Sequence, residues 1–337
     1  VASRLIGTHG VVIYGPLDFR RCVSRALETI RPRLLLLVES ELWPTLIHVV
    51  RRRQIPVVVV NGRVSERAYR RCRWARPWFK SMLESIDLLL MQSDSDAKRV
   101  IALGAPQSRV KVLGSLKWDA SLVTRPKRGA CEELARQLGL QGDDAVMVAG
   151  STHRGEERVI LDAFQAVRNH RTSTKLIIAP RHLERLGEVE ALARRCGVVV
   201  ARTSILLSTP QPWDVAVVDT LGQLPVFYGI ATVVFIGGSL VPHGGQNPLE
   251  AASLGKPVIV GPSMHNFTDI VQQLLRHQAA YQLRHRGELL EVIDDLLSHR
   301  EKALAVGQRA QDAVERLSGT AQQTYAALTV FLTARPS

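Results

Sequence analysis

The sequence has few cysteines, no long apolar run and no paired metal ligands. Its longest unbroken apolar runs, such as residues 34–38 and 57–60, are strand-sized, far below the roughly 18 apolar residues that a membrane-spanning helix needs. The four cysteines stand far apart and form no CxxC pair, which suits unlinked thiols in a reducing compartment and disfavours zinc. The ten histidines include no HxH or HExxH pair. We therefore expect neither a metal ion nor a bound cofactor.

Acidic residues are outnumbered by basic ones. The 31 Asp and Glu against 44 Lys and Arg give a formal charge of +13. The excess is concentrated in the first hundred residues, in the run 51–53 and in Arg63, Arg67, Arg70, Arg71, Arg73 and Arg76. A solvated helix face is one explanation. An anionic membrane surface is another, because clustered basic residues contribute roughly 1 kcal/mol each there. Nucleic acid is the least favoured partner, since no recognised nucleic-acid module accompanies the charge.

Short apolar runs alternate with amphipathic stretches, a pattern typical of βα units and parallel sheets. The length allows two domains of about 150 residues each. The fold class is therefore predicted as α/β, with two Rossmann-like doubly wound domains that face a cleft. Five strands are predicted in the first half, near residues 11–14, 34–38, 56–61, 88–92 and 110–113. Six are predicted in the second half, near residues 145–149, 175–179, 198–201, 215–218, 233–236 and 257–260.

A polar, basic stretch at residues 123–130 lacks periodicity and is the predicted linker. It separates a first domain over residues 1–122 from a second over residues 131–315. A helical tail over residues 316–337 could cross back to the first domain. The first half has fewer strands than the second, and the chain begins with Val rather than Met. We therefore expect that an upstream piece of the first domain is absent.

Residues 235–262 (FIGGSLVPHGGQNPLEAASLGKPVIVGP) form the most informative stretch. The pattern predicts a strand, a glycine-rich loop, a short helix and a second buried strand. Asn247 is a good helix cap, and Pro248 suits a first helical turn. A helix N-terminus that faces a glycine loop offers unpaired N–H groups to an anion, and the Glu250 carboxylate could accept hydrogen bonds from sugar hydroxyls. A buried turn is the alternative to this nucleotide-sugar site.

Three other strand ends of the second half carry candidate ligands of a donor. The hydroxyls of Ser151 and Thr152 could hold a phosphate, although a capped helix start explains them equally well. The planar fork of Arg181 suits a phosphate or a carboxylate, or caps a neighbouring helix. Gly222 would let a base or a ribose approach the backbone closely, unless it serves a plain turn.

The first half offers carboxylates and cations at its predicted strand ends. Glu39 and Glu41 follow one strand and are suggestive of acid–base or substrate-orienting work, although helix caps look alike in sequence. Arg63 and Arg67 follow the next strand and reach the same edge. Lys117 lies near the predicted hinge.

Seven segments, taken in order, resemble the bacterial 3-deoxy-D-manno-octulosonic acid (Kdo) transferases of the lipopolysaccharide inner core. They are ESELWP (39–44), NGRVSER (61–67), GSLKWD (114–119), AGSTHRGEE (149–157), APRH (179–182), DTLGQL (219–224) and the glycine-rich segment 237–262. The resemblance covers essentially the whole chain. It implies an inverting, metal-independent glycosyltransferase with two Rossmann domains (the GT-B fold).

The resemblance further implies a CMP-Kdo donor, a phosphorylated lipid A precursor as acceptor, and a peripheral location at the cytoplasmic face of the bacterial inner membrane. Glu250 would bind the ribose, and Arg181 the phosphate or the Kdo carboxylate. The implied donor-binding residues are Lys117, Ser151, Thr152, Arg181, Gly222, Asn247 and Glu250. The implied acceptor side has Glu39 and Glu41 as catalytic candidates and Arg63 and Arg67 near the acceptor phosphates.

The chain departs from the family pattern in several places. Family members carry an N-terminal hydrophobic segment and then a Ser-Val-Gly-Glu motif whose glutamate is taken as the general base, and neither occurs here. Gln223, Gln246 and Leu221 also replace the usual Glu, His and Met. The chain could therefore bind the CMP-sugar and transfer poorly. The alternatives are another GT-B glycosyltransferase, a sugar-nucleotide epimerase, or a catalytically impaired fragment or membrane-associated binding protein.

Overall fold

The computed structural model describes residues 6–333 and divides the chain into two compact units. The first runs up to Leu116 and takes in the residues from Gly319 onward, and the second is Lys117–Ser318. The division therefore falls before the predicted linker, because Trp118 is buried in the core of the second unit. The last three linker residues, 128–130, begin a helix instead. The outermost residues of the predicted domains, 1–5 and 334–337, lie outside the described residues.

The first unit is built on a parallel sheet in which the spatial order of the strands follows the chain. The strands are β1 (Leu35–Val38), β2 (Val57–Gly62), β3 (Leu88–Met91) and β4 (Val110–Val112). The helices are α1 (Arg20–Ile30), α2 (Pro44–Arg52), α3 (Glu66–Cys72), α4 (Arg76–Glu84) and α5 (Asp94–Ala102). The strand predicted at residues 11–14 is wrong: those residues are exposed and pair with no described strand.

The second unit has a seven-stranded parallel sheet in the order β11-β10-β9-β5-β6-β8-β7. Its strands are β5 (Ala145–Thr152), β6 (Thr174–Pro180), β7 (Val200–Arg202), β8 (Val215–Val217), β9 (Val233–Ile236), β10 (Val258–Val260) and β11 (Ala280–Gln282). The last of these was not predicted, because its sequence, Ala-Tyr-Gln, lacks the valine and isoleucine run that marks β8 and β10. The strand order reverses between β5 and β9, and such a reversal is where open α/β sheets bind ligands.

Ten helices lie between residues 116 and 317, and most of them follow strands of the second unit. They are α6 (Leu116–Val123), α7 (Arg128–Gln137), α8 (Glu156–Arg168), α9 (Leu186–Arg194), α10 (Thr203–Ser208), α11 (Leu224–Ile230), α12 (Leu249–Ser253), α13 (Thr268–Arg276), α14 (Leu289–Ser298) and α15 (Arg300–Leu317). In the two units together, short 3-10 turns occupy Gly7–His9, Arg73–Ala75, Gln107–Arg109, Leu183–Arg185 and Arg286–Glu288. None of the helices within residues 6–333 combines the length and the apolar character of a membrane span.

The final helix, α16 (Thr320–Thr333), packs on the first unit's sheet. Leu328 joins the buried side chains of Val58, Val60 and Leu90 on one sheet face. The Thr320 hydroxyl donates to the carbonyl oxygen of Leu113 at 3.1 Å. Because helices cover both faces, the central strands read as continuous apolar runs rather than as alternating ones.

Two glycines allow the ends of β5 and β9 to lie close to their neighbours. A Cβ atom on Gly150 would lie 2.0 Å from the hydroxyl oxygen of Tyr228, and one on Gly237 would lie 2.3 Å from the carbonyl oxygen of Ser151. Real Cβ atoms do not approach that closely, and the group near Gly237 is backbone. Glycine is therefore required where these two loops begin.

We expect Gly237→Ala to lower the free energy of unfolding by about 1–3 kcal/mol or more, because the backbone of Ser151 and Thr152 would have to move. The midpoint of urea unfolding, followed by circular dichroism, measures this loss. Gly187→Ala in α9 is the matched control, since nothing lies within 4 Å of its added Cβ. Equal midpoints for the two variants would contradict the close backbone approach.

Candidate functional site

A buried carboxylate joins the two loops at the strand-order reversal. Glu156 is the first residue of α8 and is fully buried. Its carboxylate accepts hydrogen bonds from the backbone N–H groups of His153 at 2.8 Å, Gly238 at 2.7 Å, Ser239 at 3.0 Å and Leu240 at 2.9 Å. Burial raises the pKa of Glu156, although the four amide donors oppose that rise. The loop after β9 is thereby fixed to the start of α8.

The sequence predicts that a helix N-terminus facing the glycine-rich loop offers N–H groups to an anion, but most amides of the loop itself are engaged within the protein. Besides the amides that Glu156 occupies, the Gly237 amide donates to the carbonyl oxygen of Gly150 at 2.8 Å. Gly244 donates to the Ser263 hydroxyl at 3.2 Å, and Gly245 to the carbonyl oxygen of Gly238 at 2.8 Å. The glycines instead supply tight turns, with φ of 67° at 238, 89° at 244 and 77° at 245.

The Thr152 side chain is not available to a ligand. Thr152 is fully buried, and its hydroxyl donates to Glu157 Oε1 at 3.0 Å. The same oxygen accepts a hydrogen bond from Arg185 Nη1 at 2.7 Å. The predicted phosphate contact through this hydroxyl is therefore corrected to a structural role. Ser151 is half-buried and has a left-handed backbone (φ 54°), a conformation that costs energy outside glycine and is frequent at functional sites.

Asn247 and Glu250 lie together at the start of α12. Asn247 Oδ1 accepts from the Leu249 amide at 3.1 Å, and its Nδ2 donates to Glu250 Oε1 at 3.4 Å. Glu250 is half-buried, and burial raises the pKa of its carboxyl. The negative charge of Glu250, after burial itself, also raises the pKa of Tyr228, which places that phenol nearby. Within the described chain, the carboxylate makes no further hydrogen bond.

Arg181 and Gly222 follow the neighbouring strands β6 and β8. The Arg181 amide donates to the carbonyl oxygen of Thr152 at 3.0 Å, while its side chain is exposed. Gly222 has φ of 81°, and no atom lies within 4 Å of a Cβ built there. Both positions therefore border open space. Lys117, in α6, places its ammonium group 5.1 Å from the centroid of the Phe267 ring.

Three histidines meet at this edge of the second unit, and sequence reasoning assigned no role to them. The rings of His153 and His243 stack with centroids 4.2 Å apart, and His182 meets His153 edge-on at 5.8 Å. Each comes from a different loop: His153 follows β5, His182 follows β6 and His243 follows β9. A search for histidines that directly follow predicted strands would have found two of them. Among the described residues, no group of His, Cys, Asp and Glu has the arrangement of a metal site.

In the first unit, a buried amide ties the strand ends together. Asn61 Nδ2 donates to Glu39 Oε1 at 3.5 Å, and Asn61 Oδ1 accepts from the Leu116 amide at 3.0 Å. Gln92 Nε2 donates to the Asn61 carbonyl oxygen at 2.8 Å. Glu39 and Asn61 both have left-handed backbones, with φ of 59° and 54°. Sequence reasoning quoted Asn61 inside a motif without giving it this role.

The remaining candidates of the first unit lie around this edge. Glu41 is exposed, and its Oε2 accepts from Trp43 Nε1 at 3.1 Å. Arg63 is half-buried and Arg67 exposed. The backbone beside Arg63 is held by Asp96, whose Oδ1 accepts from the Val64 amide at 2.7 Å. Asp96 is therefore a structural acceptor in the first turn of α5.

Comparison with known proteins places this geometry in a family. The family model of 3-deoxy-D-manno-octulosonic-acid transferase (kdotransferase) matches residues 1–120. Over 311 residues, the chain is 32% identical to the 3-deoxy-D-manno-octulosonic acid transferase of Haemophilus influenzae, covering 92% of this chain and 72% of that protein. The chain belongs to the Kdo transferase family. As a member of this family, the chain is a glycosyltransferase that transfers Kdo in lipopolysaccharide biosynthesis.

The family varies in length. The chain is 37% identical over 288 residues to a bifunctional glycosyltransferase/methyltransferase of Fusobacterium nucleatum, covering 85% of this chain and 44% of that protein. The chain therefore spans less than half of the length of this relative and 72% of the length of the Haemophilus influenzae transferase.

Two solved structures are similar to this chain, one over a single domain and the other over almost its whole length. The C-terminal CMP-Kdo binding domain of WaaA from Acinetobacter baumannii is 28% identical, with a TM-score of 0.51, covering 56% of this chain and 97% of that domain. Anabaena Alr3699/HepE in complex with UDP is 14% identical, with a TM-score of 0.64, covering 97% of this chain and 89% of that one. The second likeness shows the fold alone, and it confirms the predicted α/β class with two Rossmann-like domains of the GT-B type.

We expect Glu156→Gln to lower the free energy of unfolding by about 1–3 kcal/mol, because the amide nitrogen of glutamine would face backbone N–H donors. Thermal unfolding monitored by fluorescence checks this. The exposed Glu184→Gln is the control, since that side chain makes no hydrogen bond in the described part of the chain. Indistinguishable melting temperatures for both variants would show that the four hydrogen bonds accepted by Glu156 contribute nothing to stability.

Proposed function

We propose that the chain transfers Kdo from CMP-Kdo to a hydroxyl of a phosphorylated lipid A precursor, with inversion and without a metal ion. The observation that carries the proposal is the match to almost the whole CMP-Kdo binding domain of WaaA. In support, the corresponding unit of this chain presents a carboxylate and an arginine at the edge where its strand order reverses.

Recognition of the donor rests on residues at and near the strand ends of the second unit. Glu250 accepts hydrogen bonds from the ribose hydroxyls, since only one of its oxygens is engaged, by Asn247. The exposed Arg181 pairs with the phosphate or with the Kdo carboxylate, which its planar fork suits. The open space beside Gly222 admits the nucleoside. Ser151 and Lys117 complete the proposed donor set.

The reaction forms a bond between the acceptor oxygen and the anomeric carbon of Kdo and breaks the bond from that carbon to the phosphate oxygen of CMP. Charge builds up on the leaving phosphate, where Arg181 stabilises it. The acceptor hydroxyl loses its proton to a carboxylate. Of the first unit's candidates, Glu39 is oriented by Asn61 and Glu41 by Trp43. General acid–base catalysis of this kind contributes typically ~10²–10⁴-fold.

The first unit also presents a surface that suits an anionic membrane. Trp74 is 83% exposed and Trp78 is 53% exposed. Basic side chains surround them in the sequence, namely Arg67, Arg70, Arg71, Arg73, Arg76 and Lys80. Tryptophan favours the interface between headgroups and acyl chains, and basic residues favour anionic headgroups. We therefore propose peripheral attachment at the cytoplasmic face of the inner membrane, with Arg63 and Arg67 near the acceptor phosphates.

Replacing Glu250 by Ala is expected to weaken CMP binding at least about tenfold. The reason is that a hydrogen bond from a ribose hydroxyl to a charged carboxylate contributes about 1.5–3 kcal/mol. Isothermal titration calorimetry with CMP measures this. Glu291→Ala, an exposed carboxylate of α14, is the control. Wild-type affinity in the Glu250 variant would refute the ribose contact. A thermal shift with UDP that equals or exceeds the shift with CMP would instead favour another GT-B enzyme or an epimerase.

Trp74→Ser is expected to reduce binding to vesicles that contain phosphatidylglycerol several-fold, because an interfacial aromatic ring is lost from the basic surface. Sedimentation with the vesicles measures the bound fraction. Leu304→Ser removes a similarly exposed apolar side chain, 63% exposed, from the second unit and should leave binding unchanged. Equal losses in both variants would contradict a specific membrane-facing surface.

A further inference from the structure

The histidine cluster defined by His153, His182 and His243 lies on the glycine-rich loop of the second unit. The ring carbon Cδ2 of His153 would lie 3.3 Å from a Cβ atom on Gly238, so that the ring covers this glycine. Its Nε2 is 3.3 Å from Gln246 Nε2. His153 is half-buried, whereas His182 and His243 are exposed. The cluster therefore has one inner ring and two outer rings at the edge of the sheet where the donor is proposed to bind.

The carboxylates near the histidine cluster are already engaged. Glu156 accepts four backbone N–H groups. Glu157 accepts from Thr152 and Arg185. Glu188 accepts from Arg154 at 2.7 Å and from Arg185. None of these carboxylates is bonded to an imidazole ring.

Burial and neighbouring cations oppose protonation of the inner ring, His153. Arg185 pairs with Glu157, Arg154 follows His153 in the chain, and Arg181 precedes His182. Burial, followed by the charges of His243 and His182, lowers the pKa of His153, and Arg185 adds to this while Glu157 opposes it. Protonation of the His153 ring is therefore disfavoured in the empty protein.

We propose that the histidine cluster binds the anionic part of the donor and takes up a proton as it does so. The proposal rests on the proposed function and adds residues and a proton count to it. CMP-Kdo carries a phosphodiester and a carboxylate, so its binding brings the negative charge that the cluster lacks. A protonated imidazole then donates a charge-assisted N–H to an anionic oxygen.

The sign of the pH dependence follows from this charge balance. The anion raises the pKa of the inner histidine in the complex above its value in the empty protein. Donor affinity therefore strengthens as the pH falls between these two values, by up to about tenfold per pH unit for one proton. Above both values the inner ring is neutral with and without the donor, and the affinity no longer changes with its protonation.

Calorimetry with the methyl diester of CMP tests the proposal. The single charge of this diester does not titrate near neutral pH, so any proton taken up belongs to the protein. Titrations at one pH in two buffers of different ionisation enthalpy give the number of protons. We expect an uptake between zero and one near neutral pH in the wild type, and its loss in His153→Gln. His277→Gln, which follows α13, is the control and should retain the uptake.

The outcomes separate the two proposals. Diester binding without proton uptake, or uptake that persists in His153→Gln, overturns the role of the cluster and leaves the proposed function standing. Absence of diester binding by the wild type overturns both. An NMR titration of the wild-type imidazole signals needs no variant. A rise in the pKa of one cluster histidine on addition of the diester supports the proposal, and unchanged pKa values overturn it.

Discussion

The candidate donor site depends on one interaction, the acceptance of four backbone N–H groups by the buried Glu156 carboxylate. Loops that follow parallel strands have no ladder partners, and their amides must be satisfied by other groups. Glu156 satisfies them from the first turn of α8, where the helix dipole favours a negative charge. The loops after β5 and β9 thereby become one fixed surface rather than two independent segments.

A fixed surface determines which groups remain for a ligand. Most amides of the glycine-rich loop, the Thr152 hydroxyl and the carboxylates Glu156 and Glu157 are used internally. One oxygen of the Glu250 carboxylate and the exposed Arg181 side chain make no hydrogen bond within the described chain, and groups on a fixed surface bind with a smaller cost of ordering. The chemistry of the site is therefore concentrated in a few side chains at the strand ends, while the conspicuous glycines serve the backbone.

The alternation of apolar and amphipathic segments was sufficient to predict parallel α/β units, and strands such as β2 and β9 were located because they are buried on both faces. The sequence pattern misled at residues 11–14, where an apolar run remains exposed, and it missed β11, whose sequence carries no run of valine or isoleucine. The division between the units depended on Trp118, whose burial in the second core is a tertiary fact that no local pattern contains.

The same limit applies to the candidate site. Sequence motifs identified the strand ends that carry Glu250, Arg181 and Glu39, because parallel strands bring their carboxyl ends to one edge. They could not distinguish Thr152, which turns inward to Glu157, from Ser151, which does not. Nor could they bring His153 and His243 together, since they lie 90 positions apart and long-range contacts, the hydrogen bonds of Glu156 among them, hold their loops side by side. Side-chain direction at a loop is decided by such long-range hydrogen bonds, and an assignment of binding residues from motifs alone will confuse structural acceptors with ligands wherever they occur.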